Sequence, residues 1–106
     1  HLDLKFENIM LQDDGSLVLV DFGYAHTPVV GIARISCGTV PYSAPELSRR
    51  VYSPASDVYS LGMMIKKLYE VNYWPHPEVA DLMTTWRPSD RLLLCEVHHI
   101  LKEVTI

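Results

Sequence analysis

At 106 residues with 48% hydrophobic content, the chain can bury one modest core and make no more than one domain. A net charge of −4 and an isoelectric point near 5.6 leave no electrostatic footprint for nucleic acid or an acidic membrane surface. No apolar run approaches the ~18 residues of a membrane span, the start lacks a basic and apolar leader pattern, and Cys37 and Cys95 form no C-x-x-C pair, so the expectation is an intracellular, cytoplasmic protein with two free thiols.

The chain opens on His1-Leu2-Asp3-Leu4-Lys5-Phe6-Glu7-Asn8, which sets an acid, a base and an amide at fixed offsets. Ile9-Met10-Leu11, the turn formers Gln12 to Ser16 and the β-prone run Leu17 to Val20 predict a hairpin, with Asp13 and Asp14 as ordinary turn residues. Such a ribbon brings Asn8 and Asp21 to one end, where two ligands can share a cation. Asp21-Phe22-Gly23 follows. From Tyr24 to Val40 no period is sustained, which predicts a long loop, and long loops in compact domains are usually functional. It closes on Cys37-Gly38-Thr39-Val40-Pro41-Tyr42-Ser43-Ala44-Pro45-Glu46.

Ser53-Pro54-Ala55-Ser56-Asp57 reads as a helix entry, with Asp57 as a possible cap. Val58, Leu61, Met64, Ile65, Leu68 and Tyr69 then recur at helical spacing to about Val71. Asn72 to Pro77, with Trp74, reads as a turn-rich link. Val79, Leu82, Met83 and Trp86 mark a short helix that Arg87-Pro88-Ser89 interrupts, and Leu93, Val97, Ile100, Leu101 and Val104 a C-terminal one. Cys95 and His98 could share a helix face with His99 nearby, but zinc would need a second ligand pair. His26 and His76 read as lone loop histidines.

His-x-Asp-x-Lys-x-x-Asn, Asp-Phe-Gly and Gly-Thr-x-x-Tyr-x-Ala-Pro-Glu, in that order, resemble the signature set of the protein kinases, and Lys5 points to their serine/threonine branch. The resemblance runs from His1 to about Val104. It implies a mainly α fold with a short β-hairpin, a kinase-like C-lobe with the N-lobe absent, and residues 1–106 as a partial kinase domain. The expected activity is transfer of the ATP γ-phosphoryl group to a Ser or Thr hydroxyl of a protein substrate. Asp3 would orient the hydroxyl and accept its proton, Lys5 would stand near the transferred group, and Asn8 and Asp21 would hold Mg²⁺. Thr39 would tie the activation segment to Asp3 and Lys5, with Tyr42 near the substrate residue. Asp57 would accept backbone N–H groups of the catalytic loop, and Arg91 would pair with Glu46.

Leu2 stands where many kinases carry Arg, which puts control by loop phosphorylation in doubt. Phe6 replaces a frequent Pro. The stretch between Asp57 and Arg91 is shorter than the family usually has. The Gly-rich loop, strand Lys and helix Glu of the other lobe lie outside this sequence, so the 106-residue chain is expected to be an inactive fragment that needs the N-lobe, with apolar surface around Val58 to Tyr69 uncovered. An alternative is a non-catalytic kinase-like interaction module or decoy. A metal-dependent hydrolase using Asp3 and Asp21 would need further ligands.

Overall fold

A computed structural model describes residues 1–26, 30–71 and 77–102. Strands β1 (Ile9–Leu11) and β2 (Leu17–Leu19) pair antiparallel with Ile9 opposite Leu19, Met10 opposite Val18 and Leu11 opposite Leu17. The turn is closed by Asp14, whose Oδ1 accepts from the Ser16 hydroxyl at 2.6 Å and the Ser16 N–H at 2.9 Å. Those two bonds hold the Asp14 carboxyl below its ordinary pKa. At the far end Val20 N–H donates to Asn8 O at 2.9 Å, so the ribbon delivers Asn8 and Asp21 side by side. Apart from Ile9, every strand residue of the ribbon is exposed.

The predicted loop from Tyr24 to Val40 contains a short strand. β3 (Gly31–Ile32) pairs antiparallel with β4 (Val51–Tyr52), and Ala33 N–H donates to Arg50 O at 2.7 Å. Two residues are too few for an alternating pattern to show, so pairing across distant sequence creates this element. Between the two strands Pro45–Arg49 forms a 3-10 turn, ended by Arg50 in the left-handed conformation at φ 63°. Leu2, Ala33, Cys37, Ala44, Leu47 and Tyr52 are buried together as a first core, which joins the opening loop to this region.

Helix α1 (Pro54–Glu70) begins where Ser53 takes an extended conformation, and Ser53 N–H donates to Ser56 Oγ at 3.3 Å. Asp57 therefore is not the cap; it lies one turn inside the helix. Helices α2 (Glu78–Met83) and α3 (Leu94–Lys102) pack with α1 around a second core of Val58, Ile65, Val79, Ala80, Met83 and Val97. The expected bare surface on α1 is largely covered. Val58, Met64 and Ile65 are buried, Leu61, Met63 and Leu68 are partly buried, and only Tyr69 of that set is exposed. Exposed apolar side chains lie instead on the ribbon, with Met10, Leu11, Leu17, Val18 and Leu19, and on the stretch from Val30 to Val51. Helix α2 departs from its predicted pattern: Val79, Ala80 and Met83 form its buried face, which leaves Leu82 inside the helix 51% exposed, and Trp86 lies beyond its end and is 74% exposed. Leu93 is likewise exposed, its N–H donating to Glu96 Oε1 at 2.7 Å ahead of α3. Trp74 and His76, with most of the Asn72 to Pro77 link, and Val104 lie outside the described residues.

Gly62 sets the distance between α1 and α2. A Cβ there would stand 2.6 Å from Thr84 Cγ2 and 2.8 Å from Met83 Cβ, closer than side chains pack. Neither neighbour can yield, since Thr84 is tied by its hydroxyl to Ala80 O at 2.8 Å and Met83 is wholly buried.

Glu46 and Arg91 join the pieces. Arg91 Nη1 and Nη2 donate to Glu46 Oε2 and Oε1 at 2.7 and 2.8 Å. The three remaining guanidinium N–H groups reach Thr85 O at 2.9 Å, Ala55 O at 2.9 Å and Trp86 O at 3.1 Å, and the group lies 4.9 Å from the Tyr59 ring centre. All five donors are used. Ser56 Oγ adds a bond to Glu46 Oε2 at 2.8 Å. Burial alone would raise the Glu46 carboxyl; the Arg91 hydrogen bonds, its own backbone N–H, the Ser56 hydroxyl and the Arg91 charge together outweigh burial and hold it below its ordinary value of 4.5.

Two outcomes are expected. Gly62→Ala should cost about 1–3 kcal/mol by overpacking, more than the ~1 kcal/mol of helix propensity it gains, so a denaturant titration that finds the variant more stable refutes the close approach. Because the folded Glu46 carboxyl is depressed, its contribution is fully present above pH 4.5 and is lost as pH falls through the lower folded value. Glu46→Gln should therefore lower the melting temperature most near neutrality and less towards acid, and an equal loss at every pH would contradict this.

Candidate active site

The opening loop is fixed to α1 by one carboxylate. Asp57 Oδ1 accepts Leu2 N–H and Asp57 Oδ2 accepts from the His1 nitrogen, each at 2.9 Å. Leu2 takes φ 67°, a left-handed conformation that costs a non-glycine residue ~1–2 kcal/mol. That strain is held by the Asp57 bond and by burial of the Leu2 side chain in the first core. The His1 ring bridges loop and ribbon: Nδ1 accepts Asp3 N–H at 3.2 Å, which leaves Nε2 as the protonated nitrogen donating to Val20 O at 2.9 Å. Its ring also meets the Phe22 ring edge-on at 4.9 Å.

This scaffold presents a polar chain. Lys5 Nζ donates to Thr39 Oγ1 at 3.0 Å, and Thr39 Oγ1 donates in turn to Asp3 Oδ1 at 2.7 Å. Asn8 Nδ2 donates to Asp3 O at 2.8 Å and more weakly to Asp3 Oδ2 at 3.4 Å. Asp3 and Asn8 are buried. Of the carboxylate oxygens, Oδ2 is therefore the one with acceptor capacity to spare.

Thr39 can reach Asp3 because Gly38 lets two backbones touch. Gly38 has φ 91°, and a Cβ there would fall 2.7 Å from Ser43 Cβ and 3.1 Å from Leu2 O. Only glycine fits both the dihedral and the gap. Thr39 O accepts from Tyr42 and Ser43 N–H at 2.8 and 3.0 Å, and Ser60 Oγ on α1 donates to Tyr42 O at 2.8 Å. The Phe6 ring packs edge-on to Tyr42 at 6.4 Å.

Asp21 is exposed, with φ 58°, and its Oδ1 accepts Gly23 N–H at 3.2 Å. The donor set would suit a hard cation: the Asn8 amide nitrogen is committed to Asp3, which leaves its carbonyl oxygen as the atom that could serve as a ligand, and Asp21 Oδ2 takes no bond from a described residue. Asp57, Glu46 and Arg91 lie behind this face as supports. Cys37 beside Gly38 is buried, and burial, followed by the negative charge of Asp3, pushes its thiol up, so it is not poised as a nucleophile. Cys95 is exposed and both thiols are free. Among the described residues no group of three or more His, Cys, Asp or Glu could hold a metal ion, the Cys95, His98 and His99 set included, and no helix is long and apolar enough to cross a membrane.

The contributions of Ser56, Ser60 and the His1 ring were not assigned from sequence. A signal exists for the serines: two small polar residues one turn apart on the buried face of an apolar helix must bond something.

The sequence profile of the protein kinase domain matches residues 1–99. A human ribosomal protein S6 kinase-related protein is 46% identical over 70 residues, 64% of this chain and 17% of its own length. A CBL-interacting serine/threonine-protein kinase 8 of Arabidopsis thaliana is 38% identical over 95 residues, 86% of this chain and 21% of its own. A hormonally up-regulated neu tumor-associated kinase of mouse is 40% identical over 68 residues, covering 59% and 10%. The chain thus spans about a fifth or less of the length of these relatives. On the match over residues 1–99 and these similarities, the chain belongs to the eukaryotic-type protein kinase family.

Proposed function

We propose that this chain is the catalytic-loop and activation-segment part, the C-lobe, of a protein serine/threonine kinase that moves the ATP γ-phosphoryl group to a protein hydroxyl. The observation that carries the reading is the chain Lys5 to Thr39 to Asp3, with Asn8 on the same carboxylate. Phosphoryl transfer asks a protein mainly to hold the attacking oxygen in line and to place charge. Asp3 Oδ2 accepts the proton of the substrate hydroxyl while the oxygen–phosphorus bond forms and the bond to the departing ADP oxygen breaks. Thr39 keeps Oδ1 occupied, which leaves Oδ2, held only weakly by Asn8, for that proton. Lys5 is fixed by Thr39 through one N–H and keeps two for the transferred group. Asn8 Oδ1 and the Asp21 carboxylate would hold magnesium, which when bound neutralises charge on the phosphate oxygens.

Loop phosphorylation has no reader at Leu2, whose side chain is buried with Ala33 and Cys37 and holds the activation segment by apolar contact. That favours a segment docked without a phosphate.

The test is a chimaera in which residues 1–99 replace the matching part of a relative's kinase domain. Asp3→Asn or Asp21→Asn should each lower turnover by at least ~10²-fold, and near-normal turnover in either would refute its role. An inert parent chimaera that folds and binds Mg·ATP would favour the decoy reading. Thr39→Ala should lower kcat by about tenfold or more by freeing Lys5 and Asp3, while Ser36→Ala, at an exposed position, should stay within about twofold. A large loss at Ser36 that phosphatase treatment reproduces would show that a phosphate is read after all.

A further inference from the structure

Three arginines that the proposed reaction does not use lie on two stretches that flank Thr39 in the chain and are hydrogen-bonded to each other. Arg34 precedes Cys37 on that segment, while Arg49 and Arg50 end the 3-10 turn after Ala44. All three are exposed. Arg50 Nη1 donates to Arg34 O at 2.8 Å, and Arg50 O accepts Ala33 N–H at 2.7 Å, so the two stretches are stitched into one surface. Among the described residues the ion pairs between side chains are Lys66 with Asp81 and Arg91 with Glu46, and neither involves these arginines. Three cations outside the ion pairs of the described residues thus lie on two stretches joined to each other, in a chain whose net charge is −4. Arg50 holds φ 63°, where glycine would be less strained, so the fold by itself gives no reason for a cation there.

The surroundings suit a peptide. A groove of about 510 Å³ lined by Ser36, Gly38, Val40, Ser43, Ser48 and Trp86 runs beside Thr39. Its Ser36 and Ser48 side adjoins Arg34 and Arg49 in the chain. Ile32, Ile35 and Val51 are exposed among the arginines, with Ile32 directly opposite Val51 across the β3–β4 pair. An extended segment leaving the groove would meet apolar contacts and forked cations together, which is the chemistry that takes a carboxylate-bearing peptide.

We propose that Arg34, Arg49 and Arg50 form a docking patch for an acidic segment of the protein substrate, so that this site favours Ser or Thr flanked by Asp and Glu. Naming that segment as substrate rests on the kinase reading above. The patch steers the peptide by opposite charge and contributes no group to the chemistry.

Fluorescence anisotropy with the 106-residue chain tests it, using a serine peptide flanked by glutamates and matched peptides carrying glutamine or lysine instead. The glutamate peptide should bind about tenfold more tightly than the glutamine peptide at low salt, and the advantage should shrink as salt screens it. Arg34→Glu and Arg49→Glu should each reduce that advantage, and together with Arg50→Gly should remove it, while affinity for the glutamine peptide stays unchanged. Arg50→Gly is tolerated by the left-handed backbone but removes the bond to Arg34 O, so an unchanged melting temperature of the variant is required before its effect is read as lost charge. Equal binding of the glutamate and glutamine peptides, no binding of either, or an advantage that survives the triple variant would overturn the proposal. So would a single-stranded oligonucleotide that displaces the glutamate peptide at equal charge, since the patch would then be a general polyanion surface. Binding involves no phosphoryl transfer, which separates the two failures: an active chimaera without acidic preference sinks the patch alone, and an acidic preference with an inert chimaera sinks the kinase reading alone.

Discussion

The Glu46–Arg91 pair is the point on which the rest of the architecture hangs, because it is buried, bidentate and complete. Taking two charges out of water is expensive, and their attraction compensates only when every remaining donor and acceptor is met. Here the guanidinium spends all five N–H groups, two on Glu46 and three on backbone carbonyls of Ala55, Thr85 and Trp86. Those partners belong to the turn after Ala44, the first turn of α1 and the link between α2 and α3. The pair contributes geometry more than net stability: shifting any of these three pieces would leave an uncompensated buried charge.

From that anchor the site is assembled by short polar residues of α1. Ser56 holds Glu46, Asp57 holds the opening loop through His1 and Leu2, and Ser60 holds Tyr42 O, so one buried helix face sets the relative position of loop and segment. Gly38 then closes the remaining gap and lets Thr39 bridge to Asp3. Rigid elements thus fix the polar groups that the loops carry, an arrangement that allows close positioning.

Much of this was legible in the residues. The hairpin followed from turn formers between two apolar runs, and α1 from its spacing of apolar side chains. The grouping of Asp3, Lys5 and Thr39 was read from ordered motifs, and the distances among them are now explicit. What the sequence hid was pairing at long range: β3 and β4 are two residues each, and their partnership depends on Leu2, Ala33 and Tyr52 meeting in one core. Helical periodicity also overreached at Trp86 and Leu93, because a period does not say where a helix begins or ends, and at Leu82, because Ala80 takes the inward place beside Val79 and Met83. Asp57 was read as a cap or a scaffold residue, and its place one turn inside α1 leaves capping to Ser53.

The ribbon formed by β1 and β2 carries Met10, Leu11, Leu17, Val18 and Leu19 in the open, on both of its faces, and among the described residues it is two-stranded, so the outer edge of each strand pairs with no other described strand. Natural sheets blunt such edges with charge, proline or a covering element, and among these strand residues there is neither charge nor proline. The ribbon that presents Asn8 and Asp21 is therefore also a template for edge-to-edge strand addition between copies. A lysine in place of Leu17, remote from the end that bears the candidate ligands, is the economical gatekeeper: it would interrupt that template without touching the polar chain around Asp3.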